Sequence, residues 1–303
     1  MTVPATSDTP PRRDGRAVAE AAAGVVTRLW QSLVYLRRRP KRLPAPRIGL
    51  LGPVEGLVLA LLVAGVVAAL MILVDPQVPG LRMKLPAWLV ILSERLTDLG
   101  FGGVVLWPLG LAVVYVLALL PALDGVAQRV AASILARLGF LFLAIAPVGL
   151  AVATLKHMLG RARPSTAFYM KGAGNHLAFD WMVWKSSFAS FPSGHSTTAF
   201  ATAVALGALF PKARIPLLAL AVPVALTRIV LGSHYPSDVV AGAALGSAYV
   251  LLMVKLFAAR RVVFRVDADG RVAPMAGPSA RRLGCLVPKA LIRPAVPVEE
   301  ARP

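Results

Sequence analysis

Six apolar stretches, separated by short polar or charged segments, dominate the chain from residue 50 onwards. Each is close to the ~20 residues that a helix needs to cross a bilayer. They lie at 50–74, 104–123, 138–156, 196–211, 214–231 and 239–257. The fourth and fifth are short and rich in alanine, which suits helices that pack closely inside a bundle. The pattern therefore predicts an all-α polytopic membrane bundle with six transmembrane helices.

Two shorter segments outside these stretches also have a helical pattern. Within 18–39, apolar side chains recur at helical spacing and are followed by three arginines, which predicts an amphipathic helix. We expect this helix either on the cytoplasmic membrane surface or against the protein's own cytoplasmic face. In the 75–103 connection, the apolar run from Trp88 to Leu92 predicts a short interfacial helix.

Composition excludes an ordinary soluble domain. The 303 residues are 57% hydrophobic, with a mean hydropathy of +0.70. A formal charge of +19 would also suit a nucleic-acid binder. However, ten of the 33 Lys and Arg residues fall in 1–49 and nine in 258–303. This distribution favours a positive-inside signal and attraction to anionic lipids, with no nucleic-acid partner. The single cysteine, Cys285, excludes an intrachain disulfide.

The basic residues also predict the orientation in the membrane. The connections at 124–137 and 211–214 carry Arg129, Arg137, Lys212 and Arg214. With the two basic ends of the chain, they are assigned to the cytoplasmic side, so both termini are expected there. The first apolar run begins too late for a cleavable signal peptide. We expect three parts: a tail with the amphipathic helix at 1–48, a six-span domain at 49–257 and a flexible basic tail at 258–303.

Three polar segments are left at the outer ends of the predicted spans. The first runs from Lys156 to Pro164 and contains Arg163. Lys156 and Arg163 are seven residues apart, or two helical turns, so both side chains can lie on one side. Pro164 ends the helix and favours an extended backbone at Arg163. Taken alone, two cations at a membrane face are more typical of lipid anchors.

The second segment, Pro192-Ser193-Gly194-His195, opens the fourth span. A proline and small residues at a helix start leave backbone N–H groups free, and such a terminus favours anions. Taken alone, Ser193 is typical of a helix N-cap, and His195 of a hydrogen-bonded structural histidine.

The third segment contains Thr227 and Arg228 at the end of the fifth span, followed by His234 and Asp238. An arginine near a membrane-embedded helix end is costly without an anionic partner. Asp238 follows His234 by four residues, beyond Pro236, which can occupy a first helical turn. A carboxylate that accepts one imidazole N–H makes the other ring nitrogen nucleophilic. A structural Asp–His pair is the alternative.

Together, the segments read Lys-x6-Arg-Pro, Pro-Ser-Gly-His and Thr-Arg-x5-His-x3-Asp. This combination resembles the three-part signature of the type-2 phosphatidic acid phosphatase superfamily, the membrane relatives of vanadium haloperoxidases. The resemblance covers residues 139–257, about 40% of the chain. The family usually has serine at the position of Thr227, so the hydroxyl is kept while the added methyl group is expected to reshape the phosphate pocket.

This resemblance implies roles for the signature residues. His234 attacks phosphorus and forms a phosphohistidine, Asp238 orients it, and His195 protonates the leaving group. The phosphate would be bound by Lys156, Arg163, Ser193, Gly194, Arg228 and Thr227. Phosphoryl transfer needs mostly positioning and charge neutralisation, which three fixed cations supply. We expect no cofactor and no metal, because the sequence offers no carboxylate cluster to bind one.

The implied activity is that of an integral membrane lipid phosphatase whose site faces the outside of a bacterial inner membrane. The candidate substrates are undecaprenyl diphosphate, phosphatidic acid, phosphatidylglycerol phosphate and lipid A phosphate. Two alternatives stay open: a lipid phosphotransferase on the same scaffold, and a non-catalytic membrane protein that binds anionic lipid. The complete two-histidine set argues against the second, because a scaffold has no use for it.

Aromatic residues are dense between 165 and 191. They are Phe168, Tyr169, Phe179, Trp181, Trp184, Phe188 and Phe191, with Lys171 and Lys185 between them. An interfacial aromatic belt would explain them. A lip that grips a lipid chain near its headgroup is the alternative. His157 and His176 are expected to be surface histidines without a catalytic part.

Overall fold

The computed structural model describes residues 52–170 and 174–286, together with a few residues between 23 and 34. The protein is mostly helical, as predicted. The helices are α1 (Pro53–Leu73), α2 (Leu81–Lys84), α3 (Ala87–Thr97), α4 (Gly102–Leu119), α5 (Gly125–Leu159), α6 (Pro164–Ala167), α7 (Gly194–Leu209), α8 (Arg214–Val230), α9 (Pro236–Ala259) and α10 (Ala280–Leu283). Strands β1 (Phe264–Val266) and β2 (Val272–Pro274) form an antiparallel ribbon. The all-α prediction is therefore wrong at this ribbon.

Five segments of the described chain are long and apolar enough to cross a membrane, one fewer than predicted. They are Pro53–Gln77, Ala87–Ala122, Gly125–Leu159, Pro211–Val230 and Pro236–Ala259. The predicted fourth span corresponds to α7, which has only 16 residues. At ~1.5 Å per residue it covers about 24 Å, less than the ~30 Å of a hydrocarbon core. The orientation of the chain and the positions of its termini stay predictions.

The loop predicted at 124–137 is wrong, because these residues begin the 35-residue helix α5. The apolar run at 138–156 covers only the part of the helix that is apolar enough to lie in lipid. The helix itself extends beyond this run into the more polar residues before it. Arg137 lies on this extension, and its Nη2 donates to the carbonyl oxygens of Met275 and Ala276, each at 2.9 Å. These bonds tie α5 to the segment that follows β2.

The chain divides into two compact units. The larger comprises Lys41–Val113 and Ser133–Pro278 and contains every predicted site residue. The smaller comprises Met1–Pro40, Val114–Ala132 and Ser279–Pro303.

Two features of the smaller unit bear on the sequence predictions. In it, the Gln128 side chain donates to the carbonyl oxygen of Leu120 at 3.4 Å. The described residues between 23 and 34 are helical, in line with the predicted amphipathic helix. The remainder of that prediction, including the three arginines, lies outside the described residues.

Part of the larger unit's core lies where the ribbon meets α5 and α9. The Phe140 ring packs edge-on against Phe264 at 4.9 Å and against Phe257 at 5.2 Å. Phe264 and its neighbour Val263 are buried. The segment predicted as a flexible tail is therefore folded at its beginning, because these apolar side chains complete the helix core.

Helices α7 and α9 approach each other closely in the same unit. Gly242 and Gly246, one turn apart on α9, face the backbone of Ser193 and Thr197, and a Cβ at either glycine would crowd a carbonyl oxygen. Small residues at this spacing let two helices pack at short range. The Ser193 N–H also donates to the carbonyl oxygen of Asp238 at 3.0 Å. The second and third signature segments therefore lie side by side at the helix N-termini.

Candidate active site

The first signature segment begins where α5 ends. Gly160 has a left-handed backbone (φ +61°), and a Cβ there would overlap the carbonyl oxygen of Asp180. Only glycine adopts this conformation without cost, so the helix stops and the chain continues extended. The prediction that Lys156 and Arg163 lie two turns apart on one helix is wrong. The extended backbone predicted at Arg163 is confirmed (φ −72°, ψ 155°).

Backbone hydrogen bonds hold the extended segment against the long loop that follows it. Arg161 and Phe179 form an isolated antiparallel bridge. The Arg163 N–H donates to the carbonyl oxygen of Ser187 at 2.9 Å, and the Ser190 N–H donates to that of Arg161 at 3.1 Å. The main chain thus brings Ser190 and both arginines to one region, independently of their side chains.

The second segment forms the N-terminus of α7, as predicted. Ser193 is the N-cap, and its Oγ accepts from the N–H of Ser196 at 3.4 Å. Among the described residues, the N–H groups of Gly194 and His195 have no hydrogen-bond partner. Free N–H groups at a helix N-terminus favour an anion. Phosphate binding by Ser193 and Gly194 stays a prediction.

His234 lies in the turn between α8 and α9 and is almost fully buried. The carbonyl oxygen of Arg228 accepts the N–H groups of Ser233 and His234, which fixes this turn. The imidazole Nδ1 lies 2.7 Å from the carbonyl oxygen of Ser190 and 3.6 Å from Oδ2 of Asp238. The direct hydrogen bond predicted between Asp238 and the imidazole is therefore not formed. The Ser190 carbonyl takes that place, and Asp238 acts at ion-pair range.

Asp238 is fully buried near the start of α9. Its Oδ2 accepts from the Ser190 hydroxyl at 2.6 Å and from the Tyr235 N–H at 2.9 Å. Its Oδ1 accepts from Nη1 of Arg161 at 2.6 Å. Because Pro236 begins α9, as predicted, the carboxylate lies in the first helical turn, where negative charge is favourable.

The three predicted phosphate-binding cations lack acidic partners. Within the described part of the chain, no carboxylate lies within ion-pair distance of Lys156, Arg163 or Arg228. The Nε atoms of Arg163 and Arg228 are buried without a hydrogen-bond partner. Lys156 is close enough to both arginines to be repelled by them. Asp238 acts on Arg163 electrostatically but forms no ion pair with it, so the three neighbouring cations keep an excess of positive charge that favours a multiply charged anion.

Arg228 is held by a residue that the sequence did not reveal. Its Nη1 donates to the hydroxyl of Thr97 at 2.8 Å. Thr97 is the last residue of α3, the helix predicted from the run beginning at Trp88. The prediction of that helix is confirmed, whereas its interfacial position stays a prediction. A threonine beside apolar sequence gives no signal of such a contact.

The hydroxyl of Thr227 is used inside α8. It donates to the carbonyl oxygen of Val224 at 2.6 Å, and the side chain is buried. In this arrangement its proton is directed to the helix, so Thr227 does not donate to the anion site. The phosphate contact predicted for it would require this bond to break.

The pKa values of His195 and His234 are both lowered, but not by the same set of neighbours. Both residues lie outside the five candidate spans. Burial lowers the pKa of His234, with Arg163 and Arg228 acting in the same direction and Asp238 opposing them. Burial, followed by repulsion from Arg228, lowers the pKa of His195 to about 3. Both rings are therefore neutral in the protein without a bound anion.

The loop after Pro164 exposes large aromatic side chains. Tyr169, Trp181 and Trp184 are 81%, 68% and 65% exposed. The Trp184 ring stacks on His157 at 5.1 Å, while the carbonyl oxygen of His176 accepts from Arg161.

Arg161 and Asp75, like Thr97 and Ser190, were missed from the sequence. Both are fully buried, and Nη2 of Arg161 lies 2.8 Å from Oδ2 of Asp75. Arg161 lies inside the first signature segment, so its position was a signal. Asp75 directly follows an apolar span, where a lone acid needs a buried partner.

Comparisons with known proteins agree with the signature. Residues 137–261 match the family model of the PAP2 superfamily, which confirms the resemblance. The chain is 40% identical over 131 residues to a lipid A 1-phosphatase of Rhizobium johnstonii, covering 43% of this chain and 52% of that protein. It is 39% identical over 94 residues to a decaprenylphosphoryl-5-phosphoribose phosphatase of Mycobacterium tuberculosis, covering 31% and 46%. The chain thus spans about half the length of these relatives. No solved structure matches it significantly.

Proposed function

We propose that this protein is an integral membrane phosphatase that removes a phosphate group from a lipid. The observation that carries the proposal is the group of three cations that form no ion pair with a carboxylate of the described chain, beside the buried His234 and the partly buried His195. His195 interacts electrostatically with Arg228, His234, Lys156 and Arg163. A partly buried excess of positive charge is costly unless an anion binds there. A phosphate group supplies that charge, and His234 supplies the nucleophile.

In the first step, Nε2 of His234 attacks phosphorus. The P–Nε2 bond forms as the bond from phosphorus to the lipid oxygen breaks, and that oxygen leaves with the electron pair. The imidazole gains a positive charge, which Asp238 stabilises at 3.6 Å. His195 gives a proton to the leaving oxygen.

His195 can act as an acid only after phosphate binds. In the free site, burial and nearby cations disfavour its protonated form. A bound phosphate brings negative charge that offsets the repulsion from the cations and raises the pKa of His195. Binding of the substrate thus favours protonation of His195, the acid that the leaving group requires.

In the second step, water hydrolyses the phosphohistidine. His195, now neutral, takes a proton from the water as its oxygen bonds to phosphorus and the P–Nε2 bond breaks. Inorganic phosphate leaves, and His234 returns to the neutral state. Lys156, Arg163 and Arg228 neutralise the non-bridging oxygens in both steps.

The proposed substrate class is a membrane lipid that carries a phosphate or diphosphate. The relatives are named for lipid A and for a polyprenyl-phosphoryl sugar phosphate, so we place sugar-linked and polyprenyl-linked phosphates first. Undecaprenyl diphosphate, phosphatidic acid and phosphatidylglycerol phosphate complete the candidates. We place the site on the outer face of a bacterial inner membrane, because the basic residues at the opposite helix ends and in the two tails favour the cytoplasmic side.

The test is phosphate release by the purified full-length protein in detergent, with EDTA present, across these lipids. Wild type is compared with His234→Ala and with His176→Ala. The second variant also removes an imidazole, but one whose residue contributes only its carbonyl oxygen to the site. We expect wild type and His176→Ala to release phosphate and His234→Ala to release none. Equal release by all three, or none by wild type on any lipid, would overturn the proposal.

A further inference from the structure

The guanidinium of Arg161 joins two carboxylates from distant parts of the chain. Its Nη2 lies 2.8 Å from Oδ2 of Asp75, and its Nη1 lies 2.6 Å from Oδ1 of Asp238. All three side chains are fully buried. Nε and Nη2 also donate to the carbonyl oxygen of His176, at 3.0 and 2.9 Å. The cation packs over the Tyr235 ring, 4.2 Å from its centroid.

These contacts leave Arg161 no freedom to reach a substrate. Every nitrogen of its guanidinium already has a fixed protein partner. Arg163 and Arg228, in contrast, each keep a buried Nε without a partner. Arg161 therefore differs in kind from the phosphate-binding cations, although it lies in the same signature segment.

Asp75 also holds the start of α9. Its Oδ1 accepts the Ser237 N–H at 3.2 Å, and its Oδ2 accepts the Ser237 hydroxyl. That hydroxyl in turn accepts from Nη1 of Arg161 at 2.7 Å. Asp75 lies in the turn Asp75–Gln77 that follows α1, outside the family match at 137–261. A segment beyond the signature region is thus bonded to the helix turn that carries Asp238.

The net negative charge of this cluster is complementary to the positive charge that the reaction creates on His234. Two carboxylates and one guanidinium leave one negative charge in excess. Arg163 acts on Asp238 electrostatically but forms no ion pair with it, whereas Nδ1 of His234 lies 3.6 Å from Oδ2 of Asp238. His234 is neutral at rest and becomes positive when Nε2 bonds to phosphorus. The imidazolium of the covalent intermediate and of the adjacent transition states is therefore stabilised by this cluster more than the neutral ring is.

We propose that Asp75 and Arg161 are positioning residues that hold Asp238 as the counter-charge for the imidazolium formed on His234. The inference rests on the proposed function, because it assigns the residues a part in the same reaction. Arg161 fixes the direction of the Asp238 carboxylate, and Asp75 fixes Arg161 and supplies the excess charge. The phosphate group itself binds to the other three cations and makes no contact with Arg161 or Asp75.

The test uses the full-length protein and p-nitrophenyl phosphate, a phosphomonoester that needs no knowledge of the natural lipid. Asp75→Asn keeps the shape of the side chain and removes its charge. We expect kcat to fall on the order of 100-fold, the loss typical of a small displacement of a reacting group, with KM changed less than twofold. Asp180→Asn is the matched control, since Asp180 is an exposed carboxylate in the adjacent loop, and its kinetics should equal those of wild type.

Two inhibitors separate positioning from a general loss of structure. Orthovanadate adopts the five-coordinate geometry of the reaction on the nucleophile, so its Ki should rise by about the same factor as kcat falls. Inorganic phosphate forms no bond to His234 and binds through the cations and the N-terminus of α7, so its Ki should stay unchanged. An inactive fraction of protein would lower apparent kcat but change neither Ki. An unchanged vanadate Ki in Asp75→Asn therefore overturns the inference.

Arg161→Lys provides a second variant, because an ammonium keeps the charge but cannot hold two carboxylates in a fixed fork. The same pattern of kcat and Ki is expected, and Arg82→Lys, at an exposed ion pair with Glu94, is its control. A rise in the Ki of both vanadate and phosphate would show that the cluster supports the structure of the whole site. That result would overturn the inference but not the proposed function. A wild-type protein without activity on any phosphomonoester would overturn the proposed function and the inference with it.

Discussion

The Nδ1 nitrogen of His234 lies 2.7 Å from the backbone carbonyl oxygen of Ser190. A carbonyl oxygen only accepts hydrogen bonds, so Nδ1 carries the proton and Nε2 keeps its lone pair. The main chain, rather than a carboxylate, therefore sets the tautomer of the proposed nucleophile. Asp238 is left to compensate charge.

This tautomer predicts which nitrogen becomes phosphorylated. We expect the covalent intermediate to carry phosphate on Nε2 of His234. The measurement is rapid quenching at alkaline pH with a radiolabelled substrate, followed by separation of the two phosphohistidine isomers. Phosphate on Nδ1 would contradict the geometry at Ser190. The His234→Ala protein, quenched in parallel, should retain no label.

The role of His195 predicts a dependence on the leaving group. His195→Asn cannot protonate a departing oxygen, so hydrolysis of a lipid phosphate with an alkoxide leaving group should fall about 10²–10⁴-fold. p-Nitrophenolate is stable without a proton, so the burst of p-nitrophenol that marks the first step should fall much less. The check is the ratio of the two rates in wild type and variant. Equal losses on both substrates would show that His195 does not protonate the leaving group.

The fold shows which sequence signals were sufficient. Apolar periodicity and Pro236 predicted the main helices and the starts of α7 and α9, since burial and proline act locally. The end of α5 was missed, because it depends on how Gly160 meets the carbonyl oxygen of Asp180. A left-handed turn of this kind is decided by a contact with a distant residue.

Sequence analysis likewise predicted those site residues that lie together in the short signature segments. The signature residues at the helix ends were found, but their partners Thr97, Ser190 and Asp75 were not. Thr97 and Asp75 lie far away along the chain, and Ser190 contributes a backbone carbonyl oxygen, which every residue carries. A sequence pattern shows which residue types are present, but it does not show which backbone atoms those side chains contact.

The depressed pKa of His234 predicts the acid side of the pH profile. The ring must be neutral to attack, and burial favours that form below the ordinary value of 6.5. Activity limited by His234 is therefore fully present above pH 6.5 and is lost only as the pH falls through the lower, folded-state pKa. We expect kcat/KM for p-nitrophenyl phosphate to begin its decline below about pH 6.5.

Two cation variants test the cause of this shift. Arg163 lowers the pKa of His234, so Arg163→Gln should move the acid limb of kcat/KM to higher pH. Lys156 is not among the groups that act on His234, so Lys156→Gln should leave the position of the limb unchanged. The substrate is the same in both profiles, so its own ionisation does not differ. Equal shifts in the two variants would contradict the assignment of the limb to His234.

The exposed tryptophans of the long loop separate a lipid-gripping lip from an interfacial belt. If Trp181 and Trp184 contact the lipid chain, the double Ala variant should raise KM for a long-chain lipid phosphate about tenfold, equivalent to ~1.4 kcal/mol of lost binding. KM for p-nitrophenyl phosphate should not change. Trp107→Ala is the control, since Trp107 is similarly exposed on α4. Equal changes for both substrates would favour the belt.

Adding a single methyl group at Gly160 is expected to lower both the stability and the activity of the protein. In Gly160→Ala the added Cβ meets the carbonyl oxygen of Asp180 at a backbone angle (φ +61°) that alanine avoids. The turn must open, which displaces Arg161 and Arg163 together. We expect a loss of more than ~1 kcal/mol in unfolding free energy and a fall in kcat/KM on the order of 100-fold.

Gly149→Ala is the matched control for this change. Gly149 lies in the interior of α5, and a Cβ there meets nothing within 4 Å. Alanine favours a helix over glycine by about 0.8–1.0 kcal/mol, so this variant should unfold at an equal or higher temperature and keep full activity. Thermal unfolding in detergent and phosphate release check both proteins. A Gly160→Ala protein as active as Gly149→Ala would show that the left-handed turn does not position the arginines of the site.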